Sequence, residues 1–183
     1  MYLYDSDALL HRGMKSKKER KKEMAASSSY LVRAIVKKHT DNQANFAGTY
    51  SLLCKSKTMP SPVGTPSNIE ATTLEDDSQT FVPGVKTADQ QQITGNLEKE
   101  YLQAINGYGD DELDIFYLYG TDGVGGVAKY VRTCMVVATP SDTSVDAVLE
   151  MTITVTPTSS AVEVTDNYTV TDNGDGTFTV TAA

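Results

Sequence analysis

Tryptophan is absent from this chain, aromatic residues amount to only 8%, and histidine and cysteine occur twice each. No apolar run approaches the roughly 18 residues that a membrane-crossing helix needs, and the first residues carry no signal-peptide apolar block. These absences point to a soluble protein made in a cytoplasm. Few aromatics with heavy use of Thr and Val point to a mainly β fold with an aliphatic core. The two cysteines, Cys54 and Cys134, are far apart and in no metal-ligand spacing, so two reduced thiols in or near the core are expected. At 183 residues with 39% hydrophobic content, the chain suffices for one domain with a real core.

Basic residues are scarce outside the first segment. Residues 1–23 hold seven Lys/Arg (Arg12, Lys15, Lys17, Lys18, Arg20, Lys21 and Lys22) against four acids, leaving nine basic and twenty acidic residues for 24–183. A body so acidic repels phosphate and makes a poor DNA binder. The leader has four readings: a nucleic-acid arm, a solvated helix, a disordered basic arm, or a translated upstream region whose Lys, Glu and Arg codons come from a purine-rich ribosome-binding site, with Met24 as the true start.

Period organises the remainder. "SYLVRAIVKK" and "TYSLLCKSKT" read as strands around the turn "TDNQANFAG", and "MPSPVGTPS" as an extended connector. "ATTLEDDSQTFVPGVKT" reads as strand end, acidic excursion and Pro-Gly break. Ser67–Leu74 and Gln90–Leu97 are expected to pair across a long loop, Glu75 to Asp89. "EKEYLQAING" carries Tyr101, Leu102 and Ile105 at helical spacing. "DELDIFYLYG" and "GGVAKYVRTCMVVATP" are strands joined by the glycine turn "TDGVGG", and "NYTVTDNGDGTFTVTA" is a hairpin. In "DAVLEMTITVTP" the apolar residues Ala147, Leu149, Met151, Ile153 and Val155 alternate with polar ones. If these and Ile69 face the core, the period of two sends Glu70, Glu150, Thr152 and Thr154 to the other face.

Sites for chemistry are few. His11 lies in the leader and His39 at a strand end, where solvation is expected. The carboxylates of "GDDELD" read as a solvated turn, and "TDGVGG" and "DNGDG" as hairpin turns rather than phosphate or calcium loops. No Cys/His pair, nucleophile elbow or metal spacing occurs, so no enzyme, cofactor or metal is expected.

The succession "TTLEDDSQTFVPGVKT", "GNLEKEYLQAI", "LDIFYLYGTDGVGGVAKYVRTCMVVA" and "DAVLEMTITVTPTS" resembles the major tail tube protein of long-tailed, siphovirus-like bacteriophages. It covers about residues 45–160 and is carried by the order and spacing of its pieces. The resemblance implies a β-sandwich or partial barrel with one flanking α-helix over 24–160, followed by a C-terminal hairpin extension at 161–183. It implies a homo-oligomer of six copies per ring, rings stacked into a virion tail tube, with tape measure and tail-end proteins as partners. DNA would be in transit only, and assembly would occur in the bacterial cytoplasm. In such proteins a long loop reaches a neighbouring subunit, which assigns that role to Glu75, Asp76, Asp77, Phe81, Val82, Pro83, Gly84 and Val85. Glu70, Glu150, Thr152 and Thr154 become candidates for a lumen lined by acidic and hydroxyl rings. Two alternatives stand beside this reading: the inner-tube subunit of a contractile tail or related injection machine, and an extracellular adhesion or carbohydrate-binding module.

Overall fold

The computed structural model describes residues 29–40, 45–75, 77–86 and 89–183. The leader 1–23, Met24 and Asp76 lie outside the described residues. Among the described residues, twelve strands and one helix follow in chain order: β1 (Arg33–Lys38), β2 (Gly48–Leu52), β3 (Ser56–Thr58), β4 (Pro66–Glu70), β5 (Phe81–Lys86), β6 (Gln91–Asn96), α1 (Lys99–Gly107), β7 (Leu113–Tyr119), β8 (Ala128–Pro140), β9 (Glu150–Pro157), β10 (Val162–Glu163), β11 (Tyr168–Asp172) and β12 (Thr177–Ala182). Ten strands form one curled antiparallel sheet, a half-barrel, in the order β11-β12-β2-β1-β7-β8-β9-β6-β3, with β10 on β8. The fold is thus mainly β with one flanking helix, as the composition and the resemblance lead one to expect.

The 13-residue β8 explains the curl. Ala128–Cys134 bonds to β7, and Cys134–Pro140 bonds to β9, so one strand joins the two halves of the sheet. Strand twist accumulates along it. Along β1, β7 and β8 the sheet buries both of its faces. On one face Ala34, Ile115, Tyr117, Cys134, Val136, Met151, Ile153 and Val155 pack with Ile105 of α1 into a mostly aliphatic cluster. On the other, Ile35, Tyr50, Phe116, Leu118, Val131, Phe178 and Val180 form a second cluster, joined by Phe46 and Tyr168. This second cluster is aromatic where an aliphatic core was expected. Phe116 makes edge-to-face contacts with Phe46, Tyr50 and Tyr168, their centroids 6.3, 5.2 and 5.9 Å away. The first cluster also carries rings, the buried Tyr117 with Tyr101, Tyr108, Tyr119 and Tyr130 packed against it. Cys54 and Cys134 are buried free thiols, as expected, and burial pushes Cys134 up to about 12.

The helix ends where the sequence places it, and Tyr101 and Leu102 lie against the first cluster. The glycine turn links β7 to β8. Gly123 and Gly125 take φ values of 73° and 80°, which side chains disfavour. Asp122 Oδ1 accepts the backbone N–H groups of Val124, Gly125 and Gly126 at 3.1–3.2 Å. Partial desolvation would raise the Asp122 pKa, but these donors outweigh it and hold the carboxyl below its ordinary value. The C-terminal hairpin forms as expected, and β12 pairs with β2, so the sheet continues through it.

Three expectations are corrected. Ser67–Leu74 and Gln90–Leu97 do not pair. β4 pairs with β5 in a separate two-stranded ribbon, whereas β6 lies between β9 and β3. Half of the expected loop 75–89 is therefore the return strand β5. Ile69 does not face the core and is 55% exposed, because the ribbon has solvent on both faces. Leu149 is likewise 55% exposed and Ala147 exposed, since both precede the first residue of β9.

Candidate assembly surface

The ribbon is built from short-range pairing alone. Ile69 sits opposite Val82, and Glu70 opposite Phe81. Beyond them Ala71 N–H donates to Thr80 O at 2.9 Å, and Thr80 N–H donates to Thr72 Oγ1 at 3.1 Å, which draws the tip together. Gly84 is required by close approach: a Cβ there would stand 2.5 Å from Ser67 Oγ and 3.0 Å from Ile69 Cδ1. Ile69 therefore lies across the glycine on the same face as Val82.

Every residue of β4 is exposed, as are all of β5 except the half-buried Gly84. Phe81 and Val82 are each more than half exposed, Val85 is 83% exposed, and Leu74 at the tip is fully exposed. Glu75, Asp77 and Pro83 are exposed as well. A lone two-stranded ribbon is marginal in water. Burying such apolar side chains offers roughly 1.5–3 kcal/mol each before the costs of association. The sequence-assigned interface residues from Phe81 to Val85 are thus gathered on one projecting element with Glu75 and Asp77 near its tip.

A second surface lies on the polar side of the sheet's far half. Glu150, Thr152 and Thr154 occupy one face of β9, register with Asn96, Thr94 and Gln92 of β6, and are half-buried. Thr94 Oγ1 lies 2.7 Å from Thr58 Oγ1, and Thr152 Oγ1 lies 2.9 Å from Ser141 Oγ. The period of two reads this face correctly from Glu150 onward. It does not bring Glu70 there, for Glu70 is on the ribbon and accepts from Gln79 Nε2 at 3.5 Å. Nor is Glu150 a free acid: Lys57 Nζ stands 2.5 Å from its Oε1. The face is chiefly hydroxyl and amide.

Two buried ionic groups escaped sequence reasoning. Asp114, expected in a solvated turn, is fully buried within β7. Its Oδ1 lies 2.8 Å from His39 Nδ1 and accepts from Thr133 Oγ1 at 3.1 Å, so His39 is tied to the sheet rather than solvated. Arg132 is 3% exposed. Its guanidinium donates to Pro62 O at 3.0 Å, to Ser159 O at 3.2 Å and to Gln91 Oε1 at 3.5 Å, clamping the proline connector to the sheet. Among the described residues no carboxylate lies within ion-pair distance of it, and its Nε has no partner. A lone Asp or Arg inside an otherwise apolar strand was the available signal, because burial of a charge demands such partners.

Among the described residues, no group of three or more His, Cys, Asp or Glu side chains could hold a metal ion. No described helix is long and apolar enough to cross a membrane. No protein-family model matches the chain, and no curated protein matches it at a significant level.

Proposed function

We propose that this protein is a self-assembling structural subunit of a bacteriophage tail, six copies closing into a ring and rings stacking into a hollow tube for the genome. The observation that carries this reading is the β4–β5 ribbon, whose Ile69, Phe81, Val82 and Val85 are exposed, with no core cluster among the described residues to cover them. An apolar ribbon standing off a well-packed sheet is the form of an element completed by another copy. The order of motifs over about residues 45–160 supplies the tail assignment, with tape measure and tail-end proteins as further partners.

The hydroxyl and amide face of β9 and β6 suits a channel wall. DNA has to slide without sticking, and a wall that neutralised many phosphates would hold it: with 6–10 phosphate contacts, affinity changes by roughly 10³–10⁵ across ordinary salt. Thr152, Thr154, Thr94 and Gln92 offer no charge, and Glu150 is offset by Lys57. Repeated around a ring, such a face is close to neutral rather than an acidic barrier.

Negative-stain microscopy of the purified chain tests the proposal. Rings or tubes are expected from the full chain, and folded monomers from a variant with residues 71–80 and both ribbon strands replaced by a short Gly-containing link. A full chain that stays monomeric at every concentration, or unaltered tubes from the shortened variant, contradicts it.

A further inference from the structure

Beside the root of the ribbon, two clefts of about 410 and 450 Å³ share Met59, Tyr119 and Val127 and so form one groove. Val63 and Tyr130 extend its apolar wall, and Val127 is 57% exposed at its lip. The walls are held in place. Tyr119 Oη donates to Pro60 O at 3.3 Å and its ring meets Tyr130 edge to face, with centroids 6.1 Å apart. Arg132 lies two residues beyond Tyr130 on the same face of β8 and grips Pro62 O at 3.0 Å. Its positive charge has no carboxylate partner among the described residues, whereas Lys57, at the other end, is paired with Glu150.

We propose that this groove receives the β4–β5 ribbon of a second copy of the chain. The inference rests on the ribbon's role in assembly and adds where the ribbon docks. Apolar character and charge both favour that occupant. The groove is apolar with the buried Arg132 cation behind its wall, whereas the ribbon presents Ile69, Phe81, Val82 and Val85 beside Glu70, Glu75 and Asp77. Low dielectric beneath the groove leaves the Arg132 charge poorly screened, so an incoming acidic ribbon is drawn to it. Groove and ribbon are different surfaces of one chain, so the contact is head to tail. Such a contact propagates around a ring when its rotation closes.

The test measures the critical concentration for assembly of the full chain and of three variants, Phe81→Asp on the ribbon and Val127→Glu and Val127→Lys on the groove. Thermal unfolding serves as a control, since both side chains are exposed. Phe81→Asp and Val127→Glu are expected to raise the critical concentration at least tenfold with unchanged unfolding midpoints. Val127→Lys, facing an acidic ribbon, is expected to raise it at least fivefold less than Val127→Glu. If Phe81→Asp abolishes assembly while both Val127 variants assemble like the parent, the ribbon docks elsewhere and the groove assignment falls alone. Equal losses from Val127→Glu and Val127→Lys overturn the acidic ribbon as its occupant. Failure of the parent chain to assemble overturns the groove and the ribbon's role together.

Discussion

The β9–β6 pair and the β4–β5 pair are both antiparallel and both short, yet one is buried on a face and the other on none. Ile153 opposite Ile93 is fully buried under the first core cluster, while Ile69 opposite Val82 stands in solvent. Hydrogen bonding is the same in kind. What differs is a third layer: α1 and the curled sheet supply it for β9, and nothing among the described residues supplies it for β4. Strand pairing alone contributes little net stability in water, because each bond replaces one to solvent. The ribbon's stability has to come from what it docks against.

That contrast sets the order of expected effects. Phe116→Ala removes a fully buried ring with three aromatic neighbours and should cost about 3–5 kcal/mol in denaturant unfolding. Phe81→Ala should change monomer stability by less than about 0.5 kcal/mol, in keeping with an exposed site, yet impair assembly. A large monomer cost for Phe81 would show that the ribbon packs on its own body. Arg132→Met leaves the carbonyls of Pro62 and Ser159 without their donor and should cost about 1–3 kcal/mol. Faster proteolysis within residues 59–65 should accompany the loss.

Smaller effects are expected at the surface. Glu150→Gln breaks an exposed pair with Lys57, and its cost should stay within about 1 kcal/mol and shrink with salt. Asp122→Asn should lower stability above about pH 4 and match the parent in acid. The Asp122 carboxyl is held below its ordinary value, so its contribution is complete above about pH 4 and is lost as pH falls through the depressed folded-state value. Acid unfolding of the variant should begin from a lower plateau and show a shallower limb than that of the parent.

Much of the fold is legible in the sequence because a period of two reports a strand with one wet face. Met151, Ile153 and Val155 obey it, and so do their polar neighbours Glu150, Thr152 and Thr154. The same period misplaces Ile69, since alternation records what a face could bury and not whether a partner is present. The β4–β5 pairing is hidden by Pro66 and Pro83, which read as breaks but are tolerated in a ribbon whose outer edges pair with no other described strand. Asp114 and Arg132 are concealed for a different reason. Their strands are buried on both faces, so no alternation marks which side a charge takes, and the partners His39, Thr133, Pro62 and Ser159 come from distant segments. The groove is invisible to any period, being made where the connector, the β7–β8 turn and β8 meet.

Amide hydrogen exchange across assembly tests the central claim most directly. In the monomer, the ribbon amides of residues 66–86 should exchange orders of magnitude faster than those of β7 to β9, because no apolar layer covers them. On assembly the ribbon amides should become protected together with those lining the groove around residues 59–63 and 127–130, while β7 to β9 at the core change little. Ribbon amides that exchange as fast in assembled protein as in the monomer would contradict the claim.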